Sequence, residues 1–197
     1  GAIYTMVPGI GFPAAAKTAT AYFECVNANG GINGRPVEFK YYTEPLKSDQ
    51  ASALAQKIVE QDNAVGVVGN FDILDCAVNG EFYKEQNLAV IGVGTDSACF
   101  ESPNFAPVNS GPRYSNTGAA QALVQAGATG TLVVTEPAAP NGDYSAGGAC
   151  AVAEEAGLKC ITDMETLPIT DPNGVILKLV QQAAEGGGLI TNHDPAT

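Results

Sequence analysis

The sequence has one histidine, no tryptophan and only nine lysines and arginines in 197 residues. Each shortage closes off some chemistry. Against twenty-one acidic residues the nine basic ones leave a formal charge of −12, which repels a nucleic-acid backbone and an anionic lipid surface alike. The lone histidine, His193, and five cysteines without a C-x-x-C spacing supply no zinc-binding set. With no nucleophile elbow and no second histidine, no catalytic residue is assigned. No apolar run approaches the ~20 residues that cross a bilayer, so direct membrane insertion of this segment is not expected.

What is present describes a folded core. Hydrophobic residues make up 45% of the chain, an ordinary share for a globular protein. Segments rich in β-branched and aromatic residues, expected as strands, fall at 2–7, 36–43, 64–69, 88–93, 131–135 and 160–166, with a last one at 188–191. Between them, helices are expected over 14–27, 49–61, 74–85, 115–125, 145–156 and 173–185. Ala51, Leu54, Ala55 and Ile58 share one face of the second helix at the 3.6-residue period. Strands joined through single helices need right-handed crossovers, which makes them parallel and covers the sheet on both faces. The runs "VGVVG" and "LAVIGVG" are apolar throughout, as doubly covered strands are. The fold class is therefore α/β. The rhythm breaks at 96–114, a stretch with three prolines read as irregular, and residues 110–115 are read as a crossing between a first lobe, 1–110, and a second, 111–197.

"YTMVPGIGFPAAAK" sets Gly9, Gly11 and Ala14 between a strand and a helix, a spacing shared with dinucleotide-binding loops. A dinucleotide fold wants an acid at the end of its second strand, ~20 residues past the glycines. Here that acid is Glu44, thirty-three residues after Gly11, and Glu24 lies inside the first expected helix. A nicotinamide-dependent oxidoreductase is accordingly the weakest of three readings, and no cofactor is expected.

"VNANGGINGRPVEFKYYTE" (26–44), "SDQASALAQKIVEQDNAVGVVGN" (48–70) and "NLAVIGVGT" (87–95) follow in one order and spacing. Together they resemble the first lobe of type I periplasmic binding proteins, and within that group the substrate-binding subunits of branched-chain amino acid ABC transporters. The resemblance is strongest over residues 2–108 and weaker after Ser115. It implies parallel sheets flanked by helices in two lobes, with the second lobe incomplete because relatives are longer. It also implies an extracytoplasmic protein, periplasmic or a cell-surface lipoprotein with its leader removed, that closes two hinged lobes on a small polar ligand. The partner is then the membrane permease of an ABC importer. The runner-up reading keeps the fold but makes it the sensing domain of a receptor or regulator.

Ligands of open α/β sheets bind outside the carboxyl ends of the strands. The residues expected there are Phe12, Asn70, Phe71, Asp72, Gly94, Thr95 and Ser97 in the first lobe, and Tyr144 and His193, with Asp194 beside it, in the second. In the family, residues after the third and fourth strands hold the ligand's carboxylate, and Tyr144 matches the tyrosine that precedes the second-lobe helix. An ionised Asp72 would repel a carboxylate unless a cation or the ligand's own amine lay between them. Amides, urea-like compounds and aromatic acids therefore stand beside amino acids as expected ligands. The GGINGRP turn, by contrast, lies at the opposite end of the sheet and is expected to be structural.

Composition alone leaves free thiols and disulfides equally open for the five cysteines. On the resembled fold, Cys76 and Cys99 occupy neighbouring positions at one end of the sheet, and Cys150 and Cys160 lie on a helix and the strand after it. Two bridges are expected, leaving Cys25 as a buried thiol on the inner side of the first helix.

Overall fold

The computed structural model describes residues 1–8, 10–139 and 141–193; Gly9 and Asp194 lie outside them. The chain divides into two compact units, Gly1–Asn109 and Ser110–Thr197.

The first unit runs β1 (Ala2–Val7), β2 (Ile10–Gly11), α1 (Pro13–Ala28), β3 (Tyr41–Glu44), α2 (Ser48–Gln56, continued by a π-helical turn over Lys57–Gln61), β4 (Val67–Asn70), α3 (Asp75–Glu85), β5 (Val90–Gly92), α4 (Ser97–Glu101) and β6 (Phe105–Pro107). β1 pairs in parallel with β3, and β5 pairs in parallel with β4 and β6. A parallel bridge from Tyr4 to Phe71 joins these two halves. It is reinforced by Phe71 N–H donating to Ile3 O and Thr5 N–H donating to Phe71 O, each at 3.0 Å. The spatial order is thus β3-β1-β4-β5-β6. Gly69, at φ 77°, shifts the register of β4. At the shift Asn70 Oδ1 accepts Ile3 N–H at 2.6 Å, so a side chain supplies the acceptor for that amide.

Several expectations are corrected by local chemistry. Residues 36–40 do not pair as a strand: Pro36 has no N–H to give, and Asn27 takes both backbone groups of Val37, at 2.8 and 2.7 Å. The stretch read as irregular contains α4 and β6. Asp96 caps α4 by accepting Ala98 N–H at 2.9 Å. Pro107 closes the edge strand β6, and Pro112 starts the next helix at a position that needs no N–H. Cys25 is exposed, not buried. Ala16 is the buried residue of α1, and nine positions at about 100° each put Cys25 half a turn away from it.

The second unit runs α5 (Pro112–Gln125), β7 (Leu132–Pro137), α6 (Gly142–Glu155), β8 (Cys160–Glu165), α7 (Pro172–Ala183) and β9 (Gly188–Thr191). Its sheet is parallel, in the order β8-β7-β9. Alternation along β7 sends Leu132 and Val134 into a cluster with Ala120, Ala146, Ala149 and Ala153 of α5 and α6. Val133 packs on the other face against Leu179 and Ala183 of α7. Small residues let α5 and α6 approach closely: a Cβ on Gly148 would lie 2.1 Å from Arg113 O.

Both expected disulfides are formed, Cys76–Cys99 and Cys150–Cys160. Cys76 and Cys99 sit in the core of the first unit, 2% and 0% exposed. Replacing both by alanine is expected to cost about 3 kcal/mol by the loop-entropy estimate, read from urea unfolding of the first unit. Alkylation of the unreduced native protein should label Cys25 alone; more than one label would contradict the pairing.

Candidate functional site

In each unit the chain reverses its direction of travel across the sheet at one place. α1 carries it from β1 to β3 on one side, whereas α3 leads from β4 to β5 on the other. The loops leaving β1 and β4 therefore part and open a crevice at the carboxyl ends of the strands. Phe12 and Phe71 meet there, stacked with ring centroids 3.7 Å apart and planes 9° from parallel. Phe12 precedes Pro13 at the start of α1, and both backbone groups of Phe71 are tied to β1. Both rings are half-buried. Phe71 also borders an apolar hollow of about 280 Å³ with Ala15, Val68, Ile91, Val93 and Val108.

Four of the other expected ligand residues have interior employment. Asn70, 1% exposed, takes Ile3 N–H and donates through Nδ2 to Asp75 Oδ2 at 2.7 Å. Gly94 gives its N–H to Asn109 Oδ1 at 2.7 Å and accepts Asn109 Nδ2 at 3.0 Å. Thr95 Oγ1 donates to Ile73 O at 3.0 Å. Asp72 accepts Leu74 N–H through Oδ1 at 2.8 Å, and its buried Oδ2 accepts no hydrogen bond. Burial first, then the charges of Glu44 and Asp75, pushes the Asp72 carboxyl up to about 8. It therefore carries a proton at neutral pH. Glu44 in turn accepts Thr5 Oγ1–H at 2.8 Å and Lys47 N–H at 2.7 Å. A neutral Asp72 does not repel a carboxylate, which removes the charge objection raised by the sequence. Ser97 is half-buried at the first turn of α4.

In the second unit the reversal falls between β7 and β9. Glu136, 5% exposed near the end of β7, receives three donors on Oε1: Asn116 Nδ2 at 2.8 Å, Ser145 Oγ at 2.7 Å and Asn192 Nδ2 at 2.5 Å. Asn192 also donates to Asn116 Oδ1 at 2.9 Å. Beside this network His193 Nε2 lies 3.0 Å from Thr135 Oγ1. Burial pushes the His193 imidazole down, against the opposing charges of Glu136 and Glu165, so the ring is neutral at neutral pH. Tyr144 is half-buried, with its carbonyl accepting Arg113 Nη1 at 3.1 Å and the Arg113 guanidinium 5.4 Å from its ring centroid. Sequence reasoning names Glu136 and Asn192 only as the first residues of the strand-end loops 136–144 and 192–194, without a role, and does not single out Asn116 or Arg113. The one available signal was an acid ending the apolar run "LVVTE".

Two parallel α/β units, each gathering aromatic or polar side chains where its strand order reverses, define the class of open-sheet α/β proteins. A family model described as periplasmic binding protein matches residues 6–197, and the chain belongs to that family. Membership implies an extracytoplasmic location. A curated relative from Pseudomonas aeruginosa, "Amino acid binding protein", is 35% identical over 79 residues, which is 40% of this chain and 21% of the relative. Among solved structures, the fatty acid ABC transporter substrate-binding protein from Thermomonospora curvata superposes with a TM-score of 0.79 at 15% identity, over 91% of this chain and 46% of that one. A solute-binding protein of an ABC transporter from Rhodopseudomonas palustris HaA2, in complex with p-hydroxybenzoic acid, gives 0.77 at 19% identity, over 97% and 52%. An ABC transporter substrate-binding protein from Desulfitobacterium hafniense, in complex with Leu, gives 0.62 at 14%, over 77% and 46%. The chain thus spans about half the length of these structures and a smaller part of the curated relative.

Proposed function

We propose that the chain is the solute-binding part of an extracytoplasmic ABC-importer protein, that it takes a small polar ligand, an amino acid or a related amide or carboxylate, and that it delivers this ligand to a membrane permease without covalent chemistry. The observation that carries the reading is the placement of the Phe12–Phe71 stack and of the Glu136 network, each at the strand-order reversal of its own unit. The stack offers an apolar face, and the network offers hydrogen-bonding groups already held in place. Similar proteins carry a fitting range of cargo, with Leu and p-hydroxybenzoic acid in two of the solved structures.

A thermal-shift screen of amino acids, amides and aromatic acids on this chain tests the proposal. A binding solute at a hundred times its dissociation constant adds about 2.7 kcal/mol of stability. Phe71→Ala should then weaken the best ligand about three- to tenfold through loss of the aromatic face. Silence across the panel would overturn the reading.

A further inference from the structure

We infer that Arg113 anchors the ligand in the second unit and that the group it anchors is a carboxylate. The inference rests on the solute-binding reading and adds to it a specificity-determining residue that selects acids over their neutral analogues.

Arg113 stands in the first turn of α5, and Tyr144 in the first turn of α6. α5 leads into β7 and α6 leaves it, so both helices begin beside the carboxyl ends of the strands. Arg113 precedes Asn116 by three residues, which sets it on the same side of α5 and one turn further out than the Glu136 network. Its side chain is held in place. Nη1 donates to Tyr144 O at 3.1 Å, and the guanidinium carbon lies 5.4 Å from the centroid of the Tyr144 ring. Gly147 makes the room, since a Cβ there would come within 2.6 Å of Nη1. The backbone is fixed as well, with Thr117 Oγ1 donating to Arg113 O at 2.9 Å. A cation positioned before the ligand arrives loses little freedom on binding it.

What Arg113 lacks is a counter-ion. The second unit carries nine acidic residues and three basic ones, Arg113, Lys159 and Lys178. Lys178 pairs with Asp163 and Glu165, and Lys159 precedes β8, at the amino end of the sheet. Arg113 enters no ion pair among the described residues, and even Asp143, next to Tyr144, does not pair with it. Four of its five N–H groups make no hydrogen bond there. A half-buried cation without a partner is costly, and an arriving anion recovers the cost. The planar fork matches the two oxygens of a carboxylate, whereas a neutral amide offers one acceptor oxygen and no charge.

Calorimetric titration of the whole chain with benzoate, 4-methylpentanoate and leucine, each paired with its primary amide, tests the inference. The acid of a binding pair should bind about 30-fold more tightly than its amide. Arg113→Gln should lower the affinity for the acid about 30-fold, to the level of its amide. Arg113→Lys, which keeps the charge without the fork, should restore part of the preference. The chain has two arginines, Arg35 and Arg113, so the Nε–H signal of Arg113 in nitrogen–proton spectra of the unaltered protein gives a reading that needs no variant to fold. It should move with the acid and stay with the amide. Equal affinity within the pairs, a preference for the acid that survives Arg113→Gln, or an unmoved Nε–H signal would overturn the inference. Binding of acids and amides alike would sink the Arg113 anchor and spare the solute-binding reading; no binding by any probe would sink both.

Discussion

Asp75→Ala is expected to destabilise the first unit by about 4 kcal/mol, the range for breaking a buried, fully hydrogen-bonded charge network. Asp75 is 0% exposed, at the start of α3. It accepts Asn70 Nδ2 and Asn79 Nδ2 at 2.7 Å each and Tyr83 OH at 2.9 Å. Burial raises its pKa, and the bonds from Asn79, Tyr83 and Asn70 pull it back toward the ionised form. Alanine would leave Asn70 Nδ2 and Tyr83 OH buried and unsatisfied, and Asn79 Nδ2 with Ala51 O alone, at 3.2 Å. The damage should extend to the ladder, because Asn70 also supplies the acceptor for Ile3 at the Gly69 shift. Urea unfolding of Asp75→Ala against the unaltered chain measures this; a loss below about 1 kcal/mol would show that the network contributes little.

The second large effect is a dependence of stability on pH set by Asp72. Its folded pKa, about 8, stands far above the ordinary carboxylate value of 3.8. The folded chain therefore keeps a proton that the unfolded chain releases. The resulting stabilisation is complete below the unfolded value, declines as pH rises from about 4 to about 8 at about 1.4 kcal/mol per unit, and is gone above that. Asp72→Asn imitates the protonated form: its oxygen can still accept Leu74 N–H, and its amide carries no charge into the buried site. The variant should be the more stable protein at about pH 8, and its advantage should vanish toward about pH 4. Denaturant melts of the pair across this range test the assignment. An advantage that stays constant with pH would refute it.

The elements of this fold were largely legible because apolar period and turn chemistry act locally. β1 and β9 fall where runs of β-branched and aromatic residues place them, and both cysteine pairs close as the resembled fold implies. What escaped depends on the direction in which a side chain points. Position after a strand tells which end of the sheet a residue occupies, but not whether it turns outward, as Phe12 and Phe71 do, or inward, as Asn70 and Asp72 do. The inward turn of Asn70 follows from a register shift at Gly69, and the Gly94 backbone is occupied by the side chain of Asn109, fifteen residues later. Neither leaves a pattern in sequence. The hydrogen-bonding role of Glu136 was hidden for a related reason. Its donors Asn116, Ser145 and Asn192 come from three elements that only the folded unit brings together.

The central claim is that a small solute binds at the carboxyl ends of the strands. Amide chemical-shift mapping during titration with the best ligand of the thermal-shift screen tests it most directly. Shifts are expected at Phe12 and Phe71 in the first unit and at Glu136, Asn192 and His193 in the second, with Gly30, Gly31 and Gly34 unmoved. Shifts centred on that glycine turn, with the strand-end residues silent, would contradict it.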